Sequence, residues 1–259
     1  MIKSIKIIPN TKTSDILFFE ECDLTKLPNE RIVPLFGPNG SGKTTLINAV
    51  GTYLDALKLK NKALKDDIDY KDFVLEDFNR NIRKAGCSLV LEDVPYRVLS
   101  YSNSDDNFRH RRERFIKDAF NPALLSARFD ANSVSEGQSI VYSVFDLIEL
   151  LSTGKKGIRY DGGHLIVLID EMDSGLSIDN IDMFMKKLKY YTGKRIDIQV
   201  IFSFNNPRIL KFFPHVLSMY TGEVLELHSD EDMLAEFKKH EKAFNKARKL
   251  SNGRPKVYD

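Results

Sequence analysis

The apolar and polar positions change period several times along the chain. Residues 2–8 alternate, the period-two signature of a half-buried strand, and residues 16–20 continue the pattern as a second predicted strand. Residues 31–36 (RIVPLF) are a short apolar run that predicts a strand feeding directly into a glycine-rich stretch. Residues 44–59 then carry apolar side chains at helical spacing. The segment 61–121 is charged and mixed: residues 87–91 and 96–101 read as strands, and SNSDDN at 102–107 as an exposed loop. Over 136–152, Ile140, Val144, Leu147, Ile148 and Leu151 fall on one helix face. A loop rich in glycine and lysine, 153–163, leads to a buried strand at 164–169, a helix at 179–191 and a strand at 195–204. This alternation in the second half predicts a mainly parallel sheet.

Composition narrows the class. The chain has 259 residues, 42% of them hydrophobic, enough for a sizeable core in a single domain. Its 39 basic and 37 acidic residues nearly cancel, so no global field draws it to nucleic acid or membrane, and any such partner needs a local patch. Cys22 and Cys87 stand far apart with no metal-ligand spacing, which fits a reducing compartment and two ordinary core or half-buried residues. The N-terminal MIKSIKII lacks the apolar stretch of a signal peptide, and no run reaches the roughly 18 apolar residues of a membrane span. A soluble cytoplasmic protein is the expectation.

Three motifs carry chemistry. In GPNGSGKTT (37–45), Gly37, Gly40 and Gly42 remove side chains so that backbone N–H groups can turn inward around phosphate oxygens at a helix N-terminus. The residues expected to line a triphosphate are Pro38, Asn39, Gly40, Ser41, Gly42, Lys43, Thr44 and Thr45. Lys43 would bridge the β and γ phosphates, and the Thr44 hydroxyl would reach Mg²⁺. In LIVLIDE (165–171), a strand buried on both faces delivers Asp170 to the sheet edge, where it can hold Mg²⁺ through water. Glu171, the next residue, is the candidate general base. In isolation an apolar strand ending in Asp-Glu is simply a loop start; the upstream glycine loop is what makes it catalytic. SEGQS (135–139) admits two readings. Ser135 with Gln138 is a capping box. Gly137 also lets the helix N-terminus approach a large anion, so Ser135, Gly137 and Gln138 are candidate ligands of a γ-phosphate, presented to the ATP of a second copy.

In this order the motifs resemble those of the ABC ATPase superfamily, whose signature is LSGGQ. Within it the chain looks most like the SMC, RecF and Rad50 branch and small stand-alone bacterial ATPases related to it. MIKSIKI followed by LFGPNGSGKTTLINAV is similar to the way those heads begin, IDEMDSGLS (169–177) resembles their Walker B and D-loop, and VIFSFNNPRIL (200–210) occupies the place of their switch segment. The resemblance implies an α/β P-loop NTPase head of ABC type, with a mainly parallel sheet, an antiparallel N-terminal sheet and a helical signature lobe. It further implies a homodimer closed around ATP and Mg²⁺. The expected organisation is one domain, with the nucleotide-binding core at 1–60 and 155–228, the signature lobe at 61–154, and a C-terminal helix and basic tail at 229–259.

The departures from the pattern matter. Asn205 stands where the switch normally has histidine; it can donate a hydrogen bond to a γ-phosphate but carries no proton, so slow turnover is expected. Ser177 stands where the D-loop normally ends in Asp or His. The only glutamines are Gln138 and Gln199, neither in the place of a Q-loop, which Ser102 or Asn103 would fill. Between glycine loop and signature there are only about ninety residues without sustained heptads, so the chain is a head without coiled-coil arms.

Two basic stretches bear on partners. RHRRER at 109–114 reads either as a solvated helix face or as a contact for DNA, RNA or acidic protein through Arg109, Arg111, Arg112 and Arg114. Residues 230–249 place acids first and bases last, the ordering that suits a helix dipole, and 251–259 read as a loose tail. The function expected is an ATP-gated switch for a protein or nucleic-acid partner, as in bacterial DNA repair or defence. The alternatives are an ATP-sensing scaffold with weak catalysis and the nucleotide-binding subunit of a transporter.

Overall fold

A computed structural model describes residues 1–17, 19–65, 71–102, 164–173, 176–194 and 197–252. The expected signature helix over 136–152, the arginine cluster at 109–114 and the last seven residues, 253–259, lie outside them.

Strand β6 (His164–Asp170) shows how the sequence builds the layers. Its Leu165, Val167 and Ile169 join one buried cluster with Ile181, Phe184, Met185 and Leu188 of helix α3 (Ile178–Lys194). Its Ile166 and Leu168 join a second cluster with Leu46, Ile47, Val50 and Leu54 of helix α1 (Lys43–Lys65). A strand covered on both faces needs an unbroken aliphatic run, and LIVLI supplies it. Around β6 lies a six-stranded sheet in the order β5 (Tyr96–Ser102), β6, β7 (Ile198–Ser203), β3 (Ile32–Phe36), β8 (His215–Ser218), β9 (Val224–Glu226). Neighbours run parallel from β5 through β8, and only β9 is antiparallel. The carboxyl ends of β3, β6 and β7 therefore meet at one edge, with β7 between the other two.

A smaller antiparallel sheet packs into the α1 side: β1 (Ile2–Ile7) between β2 (Glu21–Asp23) and β4 (Cys87–Leu91). Helix α2 (Lys71–Ala85) leads into β4. Both cysteines are buried and free, as expected, and burial pushes each thiol up to about 12. The fold is thus α/β with a mainly parallel sheet and an antiparallel N-terminal one.

The strand predicted at 16–20 is not formed. The Ile16 and Leu17 amides donate to the Thr13 carbonyl at 3.2 and 3.0 Å, which is turn geometry, and the partner of β1 comes later, at Glu21–Asp23. The apparent alternation had another cause: Leu17 and Phe19 are each only 6% exposed, plugging the core from a loop, while Ile16 is 40% exposed. At the other end, helix α4 (Asp230–Asn252) runs into the segment expected to be a tail. Asp232 accepts from the His228 and Ser229 amides and the Ser229 hydroxyl accepts from the Asp232 amide, a reciprocal cap. Phe237 of α4 stacks on Phe36 with centroids 5.1 Å apart, covering the end of β3.

Gln199 joins the two sheets. Fully buried on β7, it accepts from the Ile2 amide at 2.7 Å and donates to the Ile2 carbonyl at 2.9 Å and the Glu30 carbonyl at 2.8 Å. Replacing it by leucine strands two buried backbone groups of Ile2 and the part-buried Glu30 carbonyl. Gln199→Leu is expected to cost about 2–4 kcal/mol in urea denaturation, and an unchanged midpoint would show that the junction is carried elsewhere.

Candidate functional site

The loop between β3 and α1 has the conformation its glycines allow. Gly40 and Gly42 adopt φ of +81° and +92°, which L side chains rarely adopt. A Cβ on Gly37 would lie 2.4 Å from Ser41 Oγ. Helix α1 begins at Lys43, with its first turn closed by the Leu46 amide donating to the Gly42 carbonyl at 2.9 Å, so the helix N-terminus opens onto the loop. Lys43 is only 7% exposed, and its ammonium donates to the Gly37 carbonyl at 2.5 Å and the Pro38 carbonyl at 3.2 Å. Burial lowers its pKa, against the opposing pull of Asp173, Asp170 and Glu171. Those three carboxylates come from the end of β6, so the sheet brings cation and acids into one field although more than 120 residues of chain separate them. Around the loop, Pro38 and Thr45 are half-buried, Asn39, Gly40 and Thr44 exposed, and Ser41 buried.

Asp170 and Glu171 are organised by a residue of the intervening strand. The Ser203 hydroxyl, fully buried at the end of β7, donates to Asp170 Oδ1 at 2.6 Å and accepts from the Glu171 amide at 2.7 Å. The Met172 amide donates to the Ser203 carbonyl at 3.1 Å. One hydroxyl thereby holds the Asp170 carboxylate and the Glu171 backbone. Glu171 itself has φ +50°, a left-handed conformation that costs a non-glycine residue energy and here turns the chain off the sheet straight after Asp170.

Asn205 sits two residues beyond Ser203, itself in register with Leu35 of β3. It is exposed, and its amide donates to Asp173 Oδ2 at 2.8 Å. Register also puts Ser102 opposite Asp170, at the edge where the sequence expects a Q-loop equivalent, whereas Asn103 lies outside the described residues.

Donor chemistry fits a magnesium nucleotide. Asp170 Oδ2 and Ser41 Oγ are buried with no hydrogen-bond partner, and the Thr44 side chain is exposed at the helix start. A carboxylate and a hydroxyl are hard oxygen ligands. Among the described residues no three His, Cys, Asp or Glu side chains cluster as a protein cage.

The structure thus brings together the glycine loop with Lys43 and Thr44, the acids Asp170 and Glu171, and Asn205. Ser135, Gly137 and Gln138 lie outside the described residues. Three further contributors escaped sequence reasoning. Ser203 was signalled only by a small hydroxyl ending an apolar strand, and Asp173 by one more acid after the DE pair. Leu17, whose Cδ2 lies 2.6 Å from where a Cβ on Gly42 would stand, gave no signal.

No family model matches the chain, and no curated protein matches it. The solved structures to which the chain is similar include the following cassettes. A nucleotide-free ATP-binding cassette from an ABC transporter gives a TM-score of 0.42 at 12% identity, over 92% of this chain and 96% of that one. The cbiO1 protein of Clostridium perfringens, part of the ABC transporter complex cbiONQ, gives 0.39 at 12% identity, over 96% and 97%. The ADP conformation of MJ1267, an ATP-binding cassette of an ABC transporter, gives 0.44 at 12% identity, over 98% and 100%.

Proposed function

We propose that the chain is an ABC-type ATPase of the SMC, RecF and Rad50-like kind, which binds and hydrolyses Mg·ATP, dimerises around it and acts as a switch for a protein or nucleic-acid partner. The observation that carries this reading is the Asp170–Ser203–Glu171 relay set across the sheet edge from a glycine loop whose lysine feels the same acids.

In this reading the backbone amides of Asn39, Gly40, Gly42, Lys43 and Thr44 and the α1 N-terminus hold the phosphates, and Lys43 exchanges its loop carbonyls for phosphate oxygens. Thr44 and Asp170 would hold Mg²⁺, which would supply positive charge against the phosphates. Ser203 occupies Asp170 Oδ1 and leaves Oδ2 free as a metal-side oxygen. Glu171, positioned through its backbone, takes the proton of the attacking water, while Asn205 donates a hydrogen bond to the γ-phosphate. Asn205 accepts no proton in exchange, which favours slow turnover and a switch over a pump.

The second half of each site comes from the other copy, through Ser135, Gly137 and Gln138. Ser135→Arg is expected to abolish ATP-dependent dimerisation in light scattering while leaving ATP binding to the single chain intact. Loss of binding itself would refute the role in trans. A nucleic-acid partner would use Arg109, Arg111, Arg112 and Arg114, and among the described residues no helix is long and apolar enough to cross a membrane. A scaffold that senses ATP with little hydrolysis is the second reading, favoured by Asn205 alone.

A further inference from the structure

We infer that Asp173 is a positioning residue of this site: it latches the backbone of Asn205 and so sets where that side chain stands. The inference rests on the ATPase reading above.

The need for a latch follows from the topology. The ladders that hold β7 end at Phe202 against β6 and at Ser203 against β3. Past that point the chain leaves the sheet, and the amides of Asn205 and Asn206 need acceptors the sheet cannot provide. Both donate to one oxygen, Asp173 Oδ2, Asn205 at 2.8 Å. A carboxylate accepting two successive amides makes charge-assisted bonds, stronger than those between neutral groups. Asp173 lies three residues beyond Asp170, after the left-handed turn at Glu171 and the buried Met172. The segments 170–173 and 203–206 are consequently stitched at successive levels: Ser203 fixes Asp170 and Glu171, and Asp173 fixes Asn205.

The far side of the segment is anchored as well. Asn206 caps the turn Pro207–Lys211 by accepting from the Arg208 amide at 2.9 Å, and Arg208 forms a forked pair with Asp182 of α3, at 2.8 and 2.5 Å. Asn205 is thus the exposed residue between two fixed points. Asp173 lies at the nucleotide site and not behind it. It heads the carboxylates acting on Lys43, and its other oxygen, Oδ1, is buried without a hydrogen-bond partner.

The test combines ATP hydrolysis with amide hydrogen exchange on the full chain. Asp173→Ala is expected to lower kcat about tenfold with KM for ATP changed less than about threefold, while Asp173→Asn, which keeps an acceptor oxygen, retains most of the rate. In Asp173→Ala the Asn205 and Asn206 amides exchange faster. Adding Asp173→Ala to Asn205→Ala slows the enzyme no further, because one acts through the other. An unchanged kcat, unchanged protection of these amides, or losses that multiply in the double variant would each overturn the inference. A wild-type chain that neither binds nor hydrolyses ATP sinks the ATPase reading instead, and exchange at Asn205 and Asn206 still decides whether Asp173 holds them. Should Asp173→Ala fail to fold, the same exchange and rate comparison is made on Asp173→Asn and Asp173→Glu. Asp173→Asn is then expected to stay near the wild type, whereas Asp173→Glu, whose longer side chain moves the acceptor, is expected to lose rate and amide protection; wild-type values in Asp173→Glu would overturn the inference.

Discussion

Glu171→Gln is expected to slow ATP turnover by a factor on the order of a thousand while leaving nucleotide binding intact, the range that loss of a positioned general base produces. The substitution is nearly isosteric, and what positions residue 171 is its backbone. Its amide is bonded to Ser203 Oγ at 2.7 Å, and its φ of +50° is set by the turn off β6, neither of which depends on the side-chain carboxylate. Only the proton acceptor is lost. On the proposed mechanism ATP would hold the dimer closed once hydrolysis is blocked, so light scattering in Mg·ATP should show a persistent dimer in Glu171→Gln and a transient one in the wild type. Turnover at the wild-type rate would remove Glu171 as the base.

Lys43→Met is expected to abolish ATP binding while the fold survives. Methionine replaces the lysine stem in a site only 7% exposed, and what disappears is the one cation among the Gly37 and Pro38 carbonyls. Burial depresses the Lys43 pKa below the ordinary 10.5, which gives the prediction a pH dependence with two opposite signs. Below the depressed folded-state value the lysine is charged folded and unfolded, and the cost of burying the charge is present in full. As pH rises from that value towards 10.5, the unfolded chain keeps its proton while the folded chain releases it, so stability attributable to Lys43 rises with pH. Affinity for ATP falls over the same window, because the neutral amine no longer attracts phosphate. Subtracting Lys43→Met from the wild type in thermal denaturation and in ATP titration isolates the two trends.

Where local pattern and tertiary demand agree, the sequence was legible. The run LIVLI needs cover on both faces and receives it, and the glycines of the loop stand at positive φ or where a Cβ would collide. Residues 16–20 misled because two buried side chains two apart imitate a strand, although here they plug a loop against the core, Leu17 beside Gly42 and Phe19 beside Gly222. The residues of the candidate site were nameable as types of chemistry, since Lys43, Asp170 and Glu171 fall in recognisable runs. Its wiring was not. Ser203 and Asp173 act because β7 lies between β3 and β6, and strand order is a long-range property with no local code. Gln199 lay within a predicted strand with no sign of a role there, yet it is a buried bridge between sheets.

The measurement that bears most directly on the central claim is calorimetric titration of the purified wild-type chain with Mg·ATP. The account predicts saturable binding of one nucleotide per chain, with Kd in the roughly micromolar to millimolar range common for enzyme substrates. It also predicts that omitting Mg²⁺ weakens this binding. A wild-type chain that takes up no ATP under these conditions, with or without Mg²⁺, would contradict it.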